Sequence, residues 1–88
     1  MRTEKNVILR EIAGEYILIP TGSMALKYTG VFAISSLGVS IWKLLEAGKS
    51  YEEIVSDLLE EYEVDRETLE RDVREFLDSL REKELLFD

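Results

Sequence analysis

The chain has 88 residues, 19 of them acidic and 11 basic, for a net charge of −8. Nucleic-acid binding draws its affinity from neutralised phosphates, so this balance argues against DNA or RNA as a partner. With neither cysteine nor histidine present, disulfides, thiol catalysis, thiolate metal sites and the commonest general base are excluded.

The first third reads as strand. NVILREI (Asn6–Ile12) and YILIPTG (Tyr16–Gly22) are β-rich runs joined by Ala13-Gly14-Glu15, a hairpin turn in which Gly14 supplies a positive φ. Pro20 ends the second strand or marks an edge, since it cannot donate to a ladder. Residues 21–30 read as a loop, and Val31–Ile34 as a third short strand.

The remainder is helical. Ser35 or Ser36 caps a first helix with apolar positions Leu37, Ile41, Leu44 and Leu45, widened by Trp42 and closed by Gly48. Ser50 and Glu53 form a capping box for a second helix with Ile54, Val55, Leu58, Leu59 and Tyr62 buried. Asp65 caps a third, with Val64 and Leu69 placed as a hydrophobic staple and a core stripe of Leu69, Val73, Phe76, Leu77 and Leu80. Glu84–Phe87 follows as a short tail or strand. The order predicts one α+β domain over residues 1–88: a three-stranded antiparallel sheet, then a three-helix bundle, winged helix-turn-helix-like.

The residues offer little for catalysis. Asp57, Glu60, Glu61 and Glu63, like Glu70, Asp72 and Glu75, fall mostly between apolar stripe positions and read as solvated helix surface. Gly22 and Gly30 are too far apart for a phosphate loop, and Ser23, Ser35, Ser36 and Ser40 have no activating partner at motif spacing. A non-enzyme without cofactor or metal is expected. The opening MRTEKNVILREI lacks the apolar core of a signal peptide, and no run spans a bilayer. A cytoplasmic protein away from membranes is therefore expected.

Surfaces for binding are the remaining candidates. Trp42 and Phe32 are expected to pack in the core. The third strand is apolar on both faces, which suits either burial under the chain's own helices or an edge that accepts a partner strand. On the third helix, at about 100° per residue, Leu77 sits to one side of the stripe, with Glu70, Arg74 and Arg81 beyond it. That skew suits a groove for an extended peptide carrying apolar and acidic side chains. Intrahelical Glu70–Arg74 and Asp78–Arg74 pairs are the competing account of the charges.

Three segments, LREIAGEYILIPTG, GVFAISSLGVSIWKLLEAGKSYEEIVSDLLEEY and VDRETLERDVREFLDSLREKELL, together resemble the PqqD family over roughly residues 7–86. These are RiPP recognition elements, small domains that recognise ribosomally made, post-translationally modified peptides. The resemblance implies a non-catalytic peptide chaperone. It would bind the leader of a precursor peptide as a strand added along the third strand, in a groove closed by the third helix. It would present that peptide to a modifying enzyme, such as a radical-SAM enzyme or a leader protease. Carried onto this chain, the docking edge is Val31, Phe32, Ala33, Ile34 and Ser35. The groove wall is Val73, Arg74, Leu77 and Arg81, with Glu70 at the rim.

Two departures stand out: Ile34-Ser35 where the family often has Leu-Asn, and Glu84 where it often has Gly, which bears on how the last helix ends. Two other functions compete. A winged-helix DNA-binding regulator would have to insert a helix with 8 acidic and 5 basic residues between Asp65 and Glu84 into an anionic groove. A structural module would self-associate through the same edge strand.

Overall fold

Alternation of apolar residues builds the hairpin first. In a computed structural model, which describes residues 1–88, the elements run β1 (Arg2–Thr3), β2 (Val7–Ile12), β3 (Glu15–Pro20), α1 (Met24–Lys27), β4 (Phe32–Ile34), α2 (Ser36–Glu46), α3 (Tyr51–Glu61), α4 (Arg66–Glu82) and β5 (Leu86–Phe87). β2, β3 and β4 form an antiparallel sheet in that order, registered from Val7↔Pro20 to Ile12↔Glu15 and from Tyr16↔Ile34 to Leu18↔Phe32. The predicted sheet and three long helices are therefore present. Two features were not expected: the single turn α1 within the predicted loop, and β1, whose pairing with β5 makes the tail a strand.

The hairpin turn is tighter than the sequence suggested. Glu15 pairs with Ile12, leaving a two-residue loop in which Ala13 has φ 54° and Gly14 φ 81°. Two positive φ values match the twist of the flanking strands, but the first falls on an alanine, whose Cβ disfavours that region. Ala13→Asn should therefore raise stability by about 0.5–1 kcal/mol, read as a higher urea midpoint at unchanged slope.

Each long helix starts on its predicted cap. Ser35 Oγ accepts from the Gly38 N–H at 3.1 Å. Ser50 and Glu53 complete the capping box at 3.2 and 2.9 Å. Asp65 accepts from the Thr68 hydroxyl at 2.8 Å and from its N–H at 3.1 Å. These bonds, the Ser50 backbone N–H first for Glu53 and the Thr68 hydroxyl first for Asp65, hold both carboxyls below their ordinary values of 4.5 and 3.8. Val64 stays 45% exposed, so any staple over Leu69 is partial.

The last helix ends in a left-handed turn even though Glu84 replaces glycine. Glu84 takes φ 60°. Its N–H donates to the Arg81 carbonyl at 3.0 Å, and the Leu85 N–H donates to the Leu80 carbonyl at 2.8 Å. This is the double bond pattern with which glycine usually closes a helix. The Glu84 carboxylate accepts from Lys27 Nζ on α1 at 2.8 Å.

One apolar cluster joins sheet and bundle. Trp42, Leu18, Ile41, Ile54, Leu58, Val73, Leu80 and Leu85 are fully buried in it, and Leu77 is 2% exposed. Trp42 is core, as expected. No helix is long and apolar enough to cross a membrane.

Candidate functional site

β4 has a partner on one side only, so its other edge is open. Its short alternation decides what that edge presents. Phe32 shares a face with buried Leu18, its register partner, and Ile34 lies on the same face. Both are half-buried against the core, while Ala33 is turned outward and exposed. Val31, just before the strand, is 52% exposed.

α4 runs past this edge and leaves a mostly apolar cleft of about 160 Å³. One wall is Phe32, Ala33, Ile34 and Ser35. The other is Phe76, Ser79, Leu80 and Lys83, with Leu18 and Leu85 completing the lining. Tyr28 holds the walls at their spacing. Its hydroxyl donates to the Lys83 carbonyl at 2.8 Å, and its ring meets Phe32 edge-on at 5.2 Å. Lys83 reaches back across the cleft, bonding Ser79 Oγ at 2.8 Å and standing 5.7 Å from the Phe32 ring centroid.

The α4 side of the groove differs from the sequence expectation. Val73 and Leu77 are 0% and 2% exposed and pack in the core outside the cleft lining. Arg74 is exposed away from the cleft lining. Arg81 pairs with Asp78 at 3.2 Å and Asp88 at 2.9 Å, and Glu70 pairs with Arg66 at 3.4 Å. None of these five residues lines the cleft. The expected Glu70 and Asp78 pairs with Arg74 are replaced by pairs with Arg66 and Arg81. The cause is angular: at about 100° per residue, Phe76, Ser79 and Lys83 share the flank opposite Leu77, Arg74 and Arg81. The sheet packs on that opposite flank. Phe32, expected in the core, is a half-buried wall.

Gly38 sets the position of Phe76. A Cβ on Gly38 would lie 2.9 Å from Phe76 Cε1 and 3.3 Å from Ile34 Cβ, so only glycine lets the ring tuck against the first turn of α2. Periodicity along α4 could have suggested Lys83 and Ser79, which follow Phe76 on one flank. Nothing local marks Gly38, because the nearest of its contacts, at 2.9 Å, is with Phe76, 38 residues away. No set of three carboxylates converges anywhere as a metal cluster. The arrangement is one of shape and backbone: an unpaired strand edge beside an apolar slot, suited to an extended chain whose alternate side chains enter the slot.

The comparisons with known proteins agree on this architecture. No curated protein matches the sequence significantly. Among solved structures, TbiB1 in complex with the TbiA(β) leader peptide is similar with a TM-score of 0.79 and 42% identity, over 98% of this chain and 94% of that one. A lasso peptide synthetase B1 complexed with the leader peptide shares the fold, with a TM-score of 0.79 at 22% identity over 99% and 96% of the two chains. The family model of PqqD, coenzyme PQQ synthesis protein D, matches residues 15–86. That match runs from β3 through the edge strand and the whole bundle to β5, so the chain belongs to the PqqD family.

Proposed function

We propose that this chain is a RiPP recognition element. It acts as a non-catalytic cytoplasmic adaptor that takes the leader of a ribosomally synthesised precursor as a strand along β4 and presents it to a modifying enzyme. The observation that carries this reading is the open edge of β4 beside the α4 cleft. The chain bearing it is 42% identical, over nearly its whole length, to a protein seen in complex with a leader peptide. The partner enzyme would be of the leader-protease or radical-SAM kind. The docking edge is Val31–Ser35, and the facing wall is Phe76, Ser79 and Lys83 in place of Val73, Arg74, Leu77, Arg81 and Glu70.

Strand addition has a backbone signature. In a ladder, a strand's N–H groups point alternately toward and away from the neighbouring strand. Calorimetric titration of the TbiA(β) leader, and of leaders encoded beside the gene, with single N-methyl groups walked along the bound segment should show affinity lost at every second position. Uniform tolerance of N-methylation would mean that side chains alone hold the peptide, and that β4 does not accept a strand. If no leader binds better than millimolar, the adaptor reading fails.

A further inference from the structure

Lys83 is the one charged residue lining the cleft. In a chain with 19 carboxylates, none lies within 4.0 Å of its ammonium. Its hydrogen bond to Ser79 Oγ at 2.8 Å uses one of three donors. The half-buried side chain holds a cation over the Phe32 face, 5.7 Å from the ring centroid. At the edge of an apolar slot the local dielectric is below that of water, so an arriving carboxylate gains more there than at the open surface.

The strand repeat fixes what reaches this cation. Side chains on one face of a strand recur every second residue, and on β4 Phe32 and Ile34 share the face turned toward the core and α4, while Ala33, at the cleft's outer lip, points to the other face. A strand added along that edge therefore places two side chains in the cleft, two residues apart. One lies beside Phe32, under Lys83 and Ser79. The other lies beside Ile34, against Phe76, which packs close to Ile34 at Gly38.

We infer that Lys83 and Phe76 are specificity-determining residues that select a peptide carrying an acidic and an apolar side chain at positions i and i+2. The inference rests on strand addition at β4 and deepens that reading. The order of the two side chains follows from the direction of the added strand, and the experiment below reads it out.

The test is an mRNA-display selection of random dodecapeptides on the full chain, run in parallel on wild type, Lys83→Glu and Lys83→Gln. Lys83 is the C-cap of α4 and its side chain makes no ion pair. Both variants should keep the fold, which circular dichroism checks. Wild type is expected to enrich Asp or Glu two positions from a large apolar residue. Lys83→Glu should convert that acidic position to Lys or Arg, and Lys83→Gln should erase its charge preference while the apolar position persists. A peptide from the wild-type pool should bind Lys83→Glu roughly tenfold more weakly and recover when its acid is replaced by lysine. An acidic preference that is absent, or that persists unchanged in both folded variants, overturns the selection rule and leaves peptide docking standing. Failure of wild type to enrich any peptide overturns docking itself, and the selection rule with it.

Discussion

Leu77→Ala is expected to lower stability by about 2–5 kcal/mol, the range for removing a buried leucine side chain, while leaving leader affinity of the folded protein within about twofold. Leu77 is 2% exposed and belongs to the central cluster. Truncation leaves a cavity that the neighbouring Ile, Val and Leu side chains cannot fill without strain. For a chain of this length, that loss lowers the melting temperature by about 8–40 °C, and it is a large part of the 5–15 kcal/mol or so that holds a typical domain together. Urea titration gives the stability, and calorimetry at about 10 °C with the TbiA(β) leader gives the affinity. The opposite result, near-normal stability with lost binding, would place Leu77 in the groove and reverse the orientation of α4.

Gly38→Ala is expected to do the reverse: to reduce leader affinity about tenfold or more and shift stability by less than about 1 kcal/mol. The added methyl would sit 2.9 Å from Phe76 Cε1, closer than real contacts allow, and tightly at 3.2 Å from Cζ and 3.3 Å from Ile34 Cβ. The α2 backbone has little room to retreat, because its first turn is held by the Ser35 cap and by the Val39 N–H bond to the Ser35 carbonyl at 3.0 Å. The half-buried Phe76 ring is free on its cleft side, so it yields by swinging into the slot and filling the space a peptide side chain would use. Alanine's better helix propensity, about 1 kcal/mol over glycine in a helix interior, offsets part of the packing cost. Gly38→Ala combined with Phe76→Leu should recover part of the affinity, since the shorter side chain clears the methyl. Unchanged binding with a stability loss above about 2 kcal/mol would mean that α2 moves and the wall stays.

The contrast between Leu77 and its neighbour Phe76 shows where the sequence was legible. The helix starts were readable because capping is local: Ser35, Ser50 and Asp65 each bond an N–H three residues on. The helix stripes were readable for the same reason. The left-handed close of α4 at Glu84 was hidden because the residue is unfavourable there, and its salt bridge to Lys27 spans 57 positions of sequence. Pairing of Arg2–Thr3 with Leu86–Phe87 was hidden too, since two-residue strands carry no alternation to detect.

For the groove, the sequence alone determined a third short strand followed by a capped helix, and the net acidic charge of the chain. These rest on neighbours within a few positions and on composition. Only the tertiary structure decided which flank of α4 faces β4, bringing Phe76, Ser79 and Lys83 to the cleft and keeping Val73 and Leu77, core-stripe residues, out of its wall. The reason is geometric. A stripe at least about 100° wide gives each residue's angle around the helix axis, but not where the sheet stands around that same axis. That placement comes from long-range packing, including the contact of Gly38 with Phe76 and Ile34 and the Tyr28 bond to the end of α4.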